Sequence, residues 1–323
     1  MASSIHKIAI VGVTGTIGTY ITQALTAKNR FAITAISRHD SKAEIPANVQ
    51  IARVDYSDHK SITEALKGHA ALIITTSVWA PKDTSAKLIK AAADAGVSWI
   101  LPNEFGMYNT DEAAQDTIGS GKREDRELIE SLGVSSWIGI SCGFWYEHSL
   151  SNGELYGIDT NKRKVTFFDD GTQKLNTSTW LQVGRAVAAL MSLPIGVDNE
   201  TDARTTLSSY RNSMVYVSSF GVSQQDMFES VKRVTDTTND DWKITSEPAK
   251  ERYETACENL KKGDRTAFAR KLYARYFYED AGLFEKSHRL DNERLGLPQE
   301  DLDVFTKEAI ELAQTEFWAK YGQ

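Results

Sequence analysis

The chain has 323 residues, 41% hydrophobic and 25% charged, with a formal net charge of −7 at pH 7. That length admits one large or two modest domains with a substantial core, and the acidic balance gives a nucleic-acid backbone no general attraction. Two cysteines, Cys142 and Cys257, are too few for a secreted disulfide scaffold, no Cys/His cluster implies a metal, and no apolar run approaches the roughly 20 residues of a membrane helix.

The chain opens directly on an apolar run without a basic, signal-like start, so a cytoplasmic protein is expected. In chain order, the pattern predicts strands over 5–11, 31–37, 49–54, 70–75, 98–101 and 134–140. Helices are predicted between them over 16–28, 58–67, 82–95 and 121–132. Gly68, Gly96 and Gly133 each fall just past a helix end, where a left-handed residue is easiest to place. Continuous apolar strands separated by amphipathic helices imply a parallel sheet covered on both faces. The expected class is α/β, a Rossmann-type doubly wound sheet in residues 1–150. Its ligands should lie at the carboxyl ends of the strands.

After residue 150 the rhythm changes. A strand over 164–168, a turn at Asp169-Asp-Gly171 and a helix over 179–191 are predicted, the last with capping-box spacing between Thr179 and Gln182. A strand over 214–217, a helix over 224–234 and a strand over 242–245 follow, and the last seventy residues read as mainly helical. Residues 151–323 are expected to form a smaller substrate-side domain, interleaved with the first.

The segment IAIVGVTGTIG sets Gly12, Gly15 and Gly18 between the first strand and the first helix. Glycines there permit the tight turn, the backbone's approach to a pyrophosphate and close packing of helix on strand. The helix start then offers free N–H groups to phosphate, so Thr14, Thr16 and Ile17 join the glycines as expected contacts. About 20 residues beyond Gly18, where an acidic side chain would favour NAD, stands Arg38. A guanidinium there suits a 2′-phosphate, with Lys42 as a second cation; the competing reading has Asp40 on the ribose. NADPH/NADP+ is the expected cofactor. Thr76 and Ser77 after the fourth strand, and Asn103 and Phe105 after the fifth, complete its expected contacts.

The one Tyr-x-x-x-Lys match, Tyr56-Ser-Asp-His-Lys60, follows the third strand on the adenine side and is rejected as catalytic. Nucleophile-elbow, Walker and zinc-helix motifs are absent. What remains is Leu101-Pro-Asn-Glu-Phe-Gly106, the helix start at Gly121 and Ser141-Cys-Gly-Phe-Trp-Tyr146, all of which should meet above the sheet.

With the GVTGTIG turn, Arg38, Pro-Asn-Glu-Phe-Gly, the Lys122-x-x-x-Arg126-x-x-Ile-Glu helix start and Phe168-Asp-Asp-Gly-Thr-Gln-Lys174, the chain resembles a known family over residues 5–245. This is the isoflavone reductase-like and phenylcoumaran benzylic ether reductase group within the NmrA-like atypical short-chain dehydrogenases. The chain is similar to fungal members of the CipA type. The resemblance implies an NADPH-dependent oxidoreductase acting on an aromatic small molecule, with Lys122 as the catalytic group. Departures are Asn103 in place of the family's usual serine, Met107-Tyr108 after the motif and the bulky Phe144-Trp-Tyr146. Tyr108, Phe144, Trp145 and Tyr146 are the expected substrate pocket, though aromatics serve cores more often than pockets. Taken from residue type alone, Lys122 in its charged turn reads as solvated. Neither a nucleic acid nor a membrane is an expected partner, and a monomer or homodimer is expected. The alternative is a non-catalytic, NADP(H)-sensing regulator that binds a protein partner.

Overall fold

In the computed structural model, which describes residues 3–77, 80–107, 111–118, 121–197 and 204–321, the first half alternates strand and helix. Its strands are β1 (Lys7–Val11), β2 (Ala32–Arg38), β3 (Gln50–Val54), β4 (Ala71–Ile74), β5 (Trp99–Leu101) and β6 (Ser136–Ser141). Between them run α1 (Thr16–Ala27), α2 (His59–Leu66), α3 (Thr84–Asp94), α4 (Asp111–Asp116) and α5 (Gly121–Leu132). The second half adds β7 (Phe144–Trp145), α6 (Tyr146–Leu150), β8 (Ile158–Asp159), β9 (Lys164–Phe168), β10 (Lys174–Ser178) and α7 (Trp180–Ser192). It continues with β11 (Ser213–Tyr216), β12 (Phe220–Ser223), α8 (Gln224–Thr235) and β13 (Lys243–Glu247), then α9 (Ala249–Lys261), α10 (Ala267–Tyr276) and α11 (Leu302–Ala313).

The main sheet has seven strands in the order β11-β6-β5-β4-β1-β2-β3, and every pairing in it is parallel. Alternation along β1 explains why both faces are covered. Ile8 and Ile10 pack with Ile17, Ile21 and Leu25 of α1 and with α7, whereas Ala9 and Val11 pack with Ile62, Leu66, Leu88 and Ile89 of α2 and α3. Strand order reverses at β1, which stands between β4 and β2, so the crevice at the carboxyl ends of β1 and β4 is the natural ligand site.

Residues beyond 150 build part of this sheet and its cover. β11 pairs with β6 in parallel. α7 packs so closely on α1 that a Cβ on Gly184 would stand 2.6 Å from the Tyr20 carbonyl oxygen, and Tyr20 stacks on Trp180 at 5.5 Å. Two three-stranded sheets, β12-β10-β7 and β13-β9-β8, complete the second half.

Several expectations need adjusting. The strand expected over 134–140 begins at Ser136, because Val134 lies in the preceding turn and is 51% exposed. The last seventy residues are less helical than expected, since the segment between α10 and α11 is mostly turns and one 3-10 turn. Its side chains finish the sheet edge: Asp291 accepts the Tyr216 N–H at 3.1 Å, and Asn292 accepts the Ser218 N–H at 3.1 Å. A strand edge left without such partners would cost buried polar groups their hydrogen bonds.

Candidate active site

The glycine turn is closed by the Gly15 N–H on the Gly12 carbonyl at 2.9 Å and admits no side chain at two of its positions. Gly12 has φ +85° and passes so close to β4 that a Cβ would lie 2.2 Å from the Thr75 carbonyl oxygen; a Cβ on Gly18 would lie 2.0 Å from the Gly12 carbonyl oxygen. Thr75 Oγ1 donates to the Val11 carbonyl at 2.7 Å and fixes the strand ends together. At Gly15 the space is open apart from the Gly12 oxygen at 3.3 Å. α1 has no side-chain cap and no acidic residue in its first turn, so the orphan N–H groups that begin every helix stay available to an anion. Thr14 and Gly15 are exposed at this mouth, Thr16 is half-buried, and Ile17 is buried in the core behind it. These residues fit a pyrophosphate.

At the tip of β2, Arg38 is exposed and lies 3.7 Å from Asp40 through its Nε. Lys42 follows, also exposed. Tyr56 is close enough for the Arg38 charge to act on its half-buried hydroxyl, whose pKa burial pushes up. Asp55 is occupied by Ser57, whose N–H and Oγ both lie 2.7 Å from Oδ1. Asp58 caps α2 by accepting the Lys60 N–H, so Tyr56-Ser-Asp-His-Lys60 forms a strand-to-helix junction. Across the switch point, Asn103 Nδ2 donates to the Thr76 carbonyl at 2.9 Å and to its Oγ1 at 3.1 Å, tying the ends of β4 and β5 together. Thr76 and Ser77 follow directly on β4, and Phe105 packs into the core below the crevice.

Lys122 begins α5 at the carboxyl edge of the sheet. Its reading as a solvated lysine is corrected: part of the residue stays exposed, but burial of the ammonium lowers its pKa. A Cβ on Gly106 would sit 3.9 Å from Nζ. Glu104, to which no role was assigned from the motif, is the acidic partner. It is 4% exposed, its Oε2 lies 3.6 Å from Arg126, and its Oε1 has no hydrogen-bond partner among the described residues. Burial raises the Glu104 pKa, while Lys122 and Arg126 lower it. Cys142 also faces Lys122, but burial pushes its thiol up to about 12, so Glu104 is the group whose charge favours the protonated lysine. The 103–106 loop owes its position to β6, since the Gly106 carbonyl accepts the Cys142 N–H at 2.9 Å and Ser141 Oγ at 3.2 Å.

The expected aromatic pocket divides. Tyr108 lies outside the described residues. Trp145 is half-buried with its indole beside the Cys142 thiol and its ring edge-on to His148 at 5.9 Å. Phe144 is 7% exposed and stacked on Tyr273 at 3.9 Å. Tyr146 is a correction: it is fully buried, its ring meets Phe220, and its hydroxyl bonds to Thr306 Oγ1 at 2.6 Å, leaving no ring face for a substrate. Among the described residues no group of His, Cys, Asp or Glu could hold a metal ion, and no helix is long and apolar enough to cross a membrane.

A doubly wound parallel sheet with this turn at its switch point defines a Rossmann-type α/β protein. The NmrA-like family model matches residues 4–178, and the chain belongs to that family. Oxidoreductase aprR of Aspergillus flavus is 26% identical over 263 residues, 80% of this chain and 82% of the relative. An isoflavone reductase crystal structure superposes with TM-score 0.71 at 19% identity, covering 94% of this chain and 99% of its own. The structure of AtPrR2 with NADP+ and (+)pinoresinol gives TM-score 0.70 at 18% identity over 95% of this chain and 99% of its own.

Proposed function

We propose that the protein is an NADPH-dependent reductase that transfers hydride to an aromatic or conjugated small molecule, at a ketone, enone or benzylic carbon. The observation that carries this reading is the desolvated Lys122 next to buried Glu104, at the carboxyl edge of a sheet whose switch point bears the glycine turn and the uncapped start of α1. The similarity to aprR, named an oxidoreductase, and to AtPrR2, solved with NADP+ and (+)pinoresinol, supports it.

The dinucleotide supplies the hydride; the chain supplies binding, orientation and a proton. Gly12, Gly15 and the first N–H groups of α1 hold the pyrophosphate, Arg38 and Lys42 meet the 2′-phosphate, and Asn103 keeps the β4 and β5 ends in register. The charge to be met would lie on a ketone's or enone's oxygen, or on the oxygen released as a benzylic C–O bond breaks. The Lys122 ammonium donates a hydrogen bond there and then its proton, and recovers a proton from solvent. A sensing regulator would have no use for a titratable lysine enclosed with a carboxylate.

The test is NADPH oxidation over a panel of aromatic ketones, enones and benzylic ethers. Lys122→Ala is expected to lower kcat by about 100-fold or more, the usual scale of a lost general acid, with NADPH affinity within twofold of the wild type. Equal turnover in the two proteins removes Lys122 from the chemistry.

A further inference from the structure

The tip of β2 is braced by a guanidinium from the neighbouring strand. Arg53 lies opposite Ser37 on the edge strand β3, and its Nη1 donates to Ser37 Oγ at 3.1 Å, to the Arg38 carbonyl at 3.1 Å and to the Ser41 carbonyl at 2.9 Å. Those carbonyls belong to a turn closed by the Ser41 N–H on the Arg38 oxygen at 3.1 Å. It is the turn that carries Arg38 and leads to Lys42. Arg53 is exposed, and an exposed arginine normally keeps its head mobile, because fixing the side chain costs up to about 2 kcal/mol of rotamer entropy. Here one nitrogen is committed to three oxygens, while Nε and Nη2 donate to no described residue. The planar fork therefore keeps donors in a fixed orientation.

Charge makes the same point. Arg38 lies 3.7 Å from Asp40, and a carboxylate so placed offsets much of what Arg38 can offer a phosphate carrying about −1.5 to −2 charges. Lys42 is a flexible point charge. A second guanidinium with free donors at the same turn supplies both the missing charge and the bidentate geometry that phosphate favours.

We propose that Arg53 is a specificity-determining residue of the cofactor site, clamping the Arg38–Ser41 turn through Nη1 and facing the 2′-phosphate of NADPH with its remaining donors. The inference rests on the NADPH reading above and concerns a residue to which that reading gave no part.

The experiment titrates the purified full chain with NADPH, NADH, adenosine 2′,5′-bisphosphate and AMP, for the wild type and for Arg53→Ala, Arg53→Gln and Arg53→Lys. The alanine and glutamine variants should bind NADPH and the bisphosphate about ten- to a hundredfold more weakly, the equivalent of one charge-assisted hydrogen bond. NADH and AMP should stay within about twofold, and lysine should recover only part of the loss because it keeps the charge without the fork. Equal weakening of the phosphorylated and unphosphorylated ligands would make Arg53 a mere brace and overturn the proposal, as would no change in either. A wild type that binds neither NADPH nor the bisphosphate overturns the cofactor reading itself, and the role of Arg53 falls with it.

Discussion

Glu104 and Lys122 lose hydration in one enclosure, and burial favours the neutral form of each while their mutual attraction favours the ion pair. Arg126 adds a second cation, which supports the carboxylate and further lowers the lysine's pKa. Replacing Glu104 by Gln keeps the shape and removes the anion that raises the Lys122 pKa. The protonated lysine is then lost at lower pH, and the alkaline limb of kcat/KM should move to lower pH by about 1 to 3 units. A pH profile measured with NADPH and any accepted substrate reads this directly, and a limb that stays in place removes Glu104 as the lysine's partner. The motif holding Glu104 was legible in the sequence, but its depth was not. A glutamate reads as exposed because few are buried unless paired, and its partners arrive from α5. The aromatics failed for the converse reason. Tyr146 and Trp145 are neighbours of similar character, yet one is sealed against Phe220 and Thr306 and the other faces Cys142.

At the level of the element, a second buried acid, Glu147 of α6, sits against the N-terminus of α7. Both oxygens of Glu147 accept the Trp180 N–H at 3.2 Å, and burial raises the Glu147 pKa to about 8. Glu300 beside it has a cation, Arg185 at 2.7 Å, whereas Glu147 has no ion pair among the described residues. Because the folded value lies above the ordinary 4.5, the fold retains the proton, and the associated stability is complete below about 4.5 and is lost as pH rises towards 8. Glu147→Gln should therefore flatten the pH dependence of Tm across that window. The wild type should lose up to a few kcal/mol relative to the variant, at about 1.4 kcal/mol per pKa unit. Parallel Tm-versus-pH curves for the two proteins would show that Glu147 stays ionised in the fold. The sequence disclosed half of this helix start: Thr179 caps by accepting the Gln182 N–H at 2.9 Å, but the Gln182 amide turns away to the Pro298 carbonyl. Ile8–Val11 of β1 and the whole of β4 were legible because both their faces are buried and they read as unbroken apolar runs. β10 was not. It carries Asn176, Thr177 and Ser178, buried and polar, with Asn176 donating to Ser218 Oγ at 3.0 Å and Thr177 to the Phe144 carbonyl at 2.7 Å. A strand whose inner face is satisfied by hydrogen bonds leaves no hydrophobic period to find.

At the scale of the whole molecule, the two halves of the chain share one core. Ile138 and Ile140 of β6 and Ile17, Ile21 and Leu25 of α1 lie in the same cluster as Val183, Val187 and Leu190 of α7 and Val215 of β11. The sequence showed the change of rhythm at residue 150 and suggested that the later half interleaves with the first, but not which elements return, because pairing across such a distance leaves no local pattern. Residues 1–150 alone would expose the α1 face that α7 covers and the β6 edge that β11 completes. Each large apolar side chain uncovered costs about 1.5 to 3 kcal/mol, so losing several of them exceeds the roughly 5 to 15 kcal/mol by which a domain is stable. The isolated fragment is expected to show no cooperative thermal transition and to bind hydrophobic dyes, although every residue of the glycine turn and Lys122 is present in it. A cooperative transition accompanied by NADPH binding would instead establish the first 150 residues as an independent nucleotide-binding unit, with α7 and β11 as an addition it can do without.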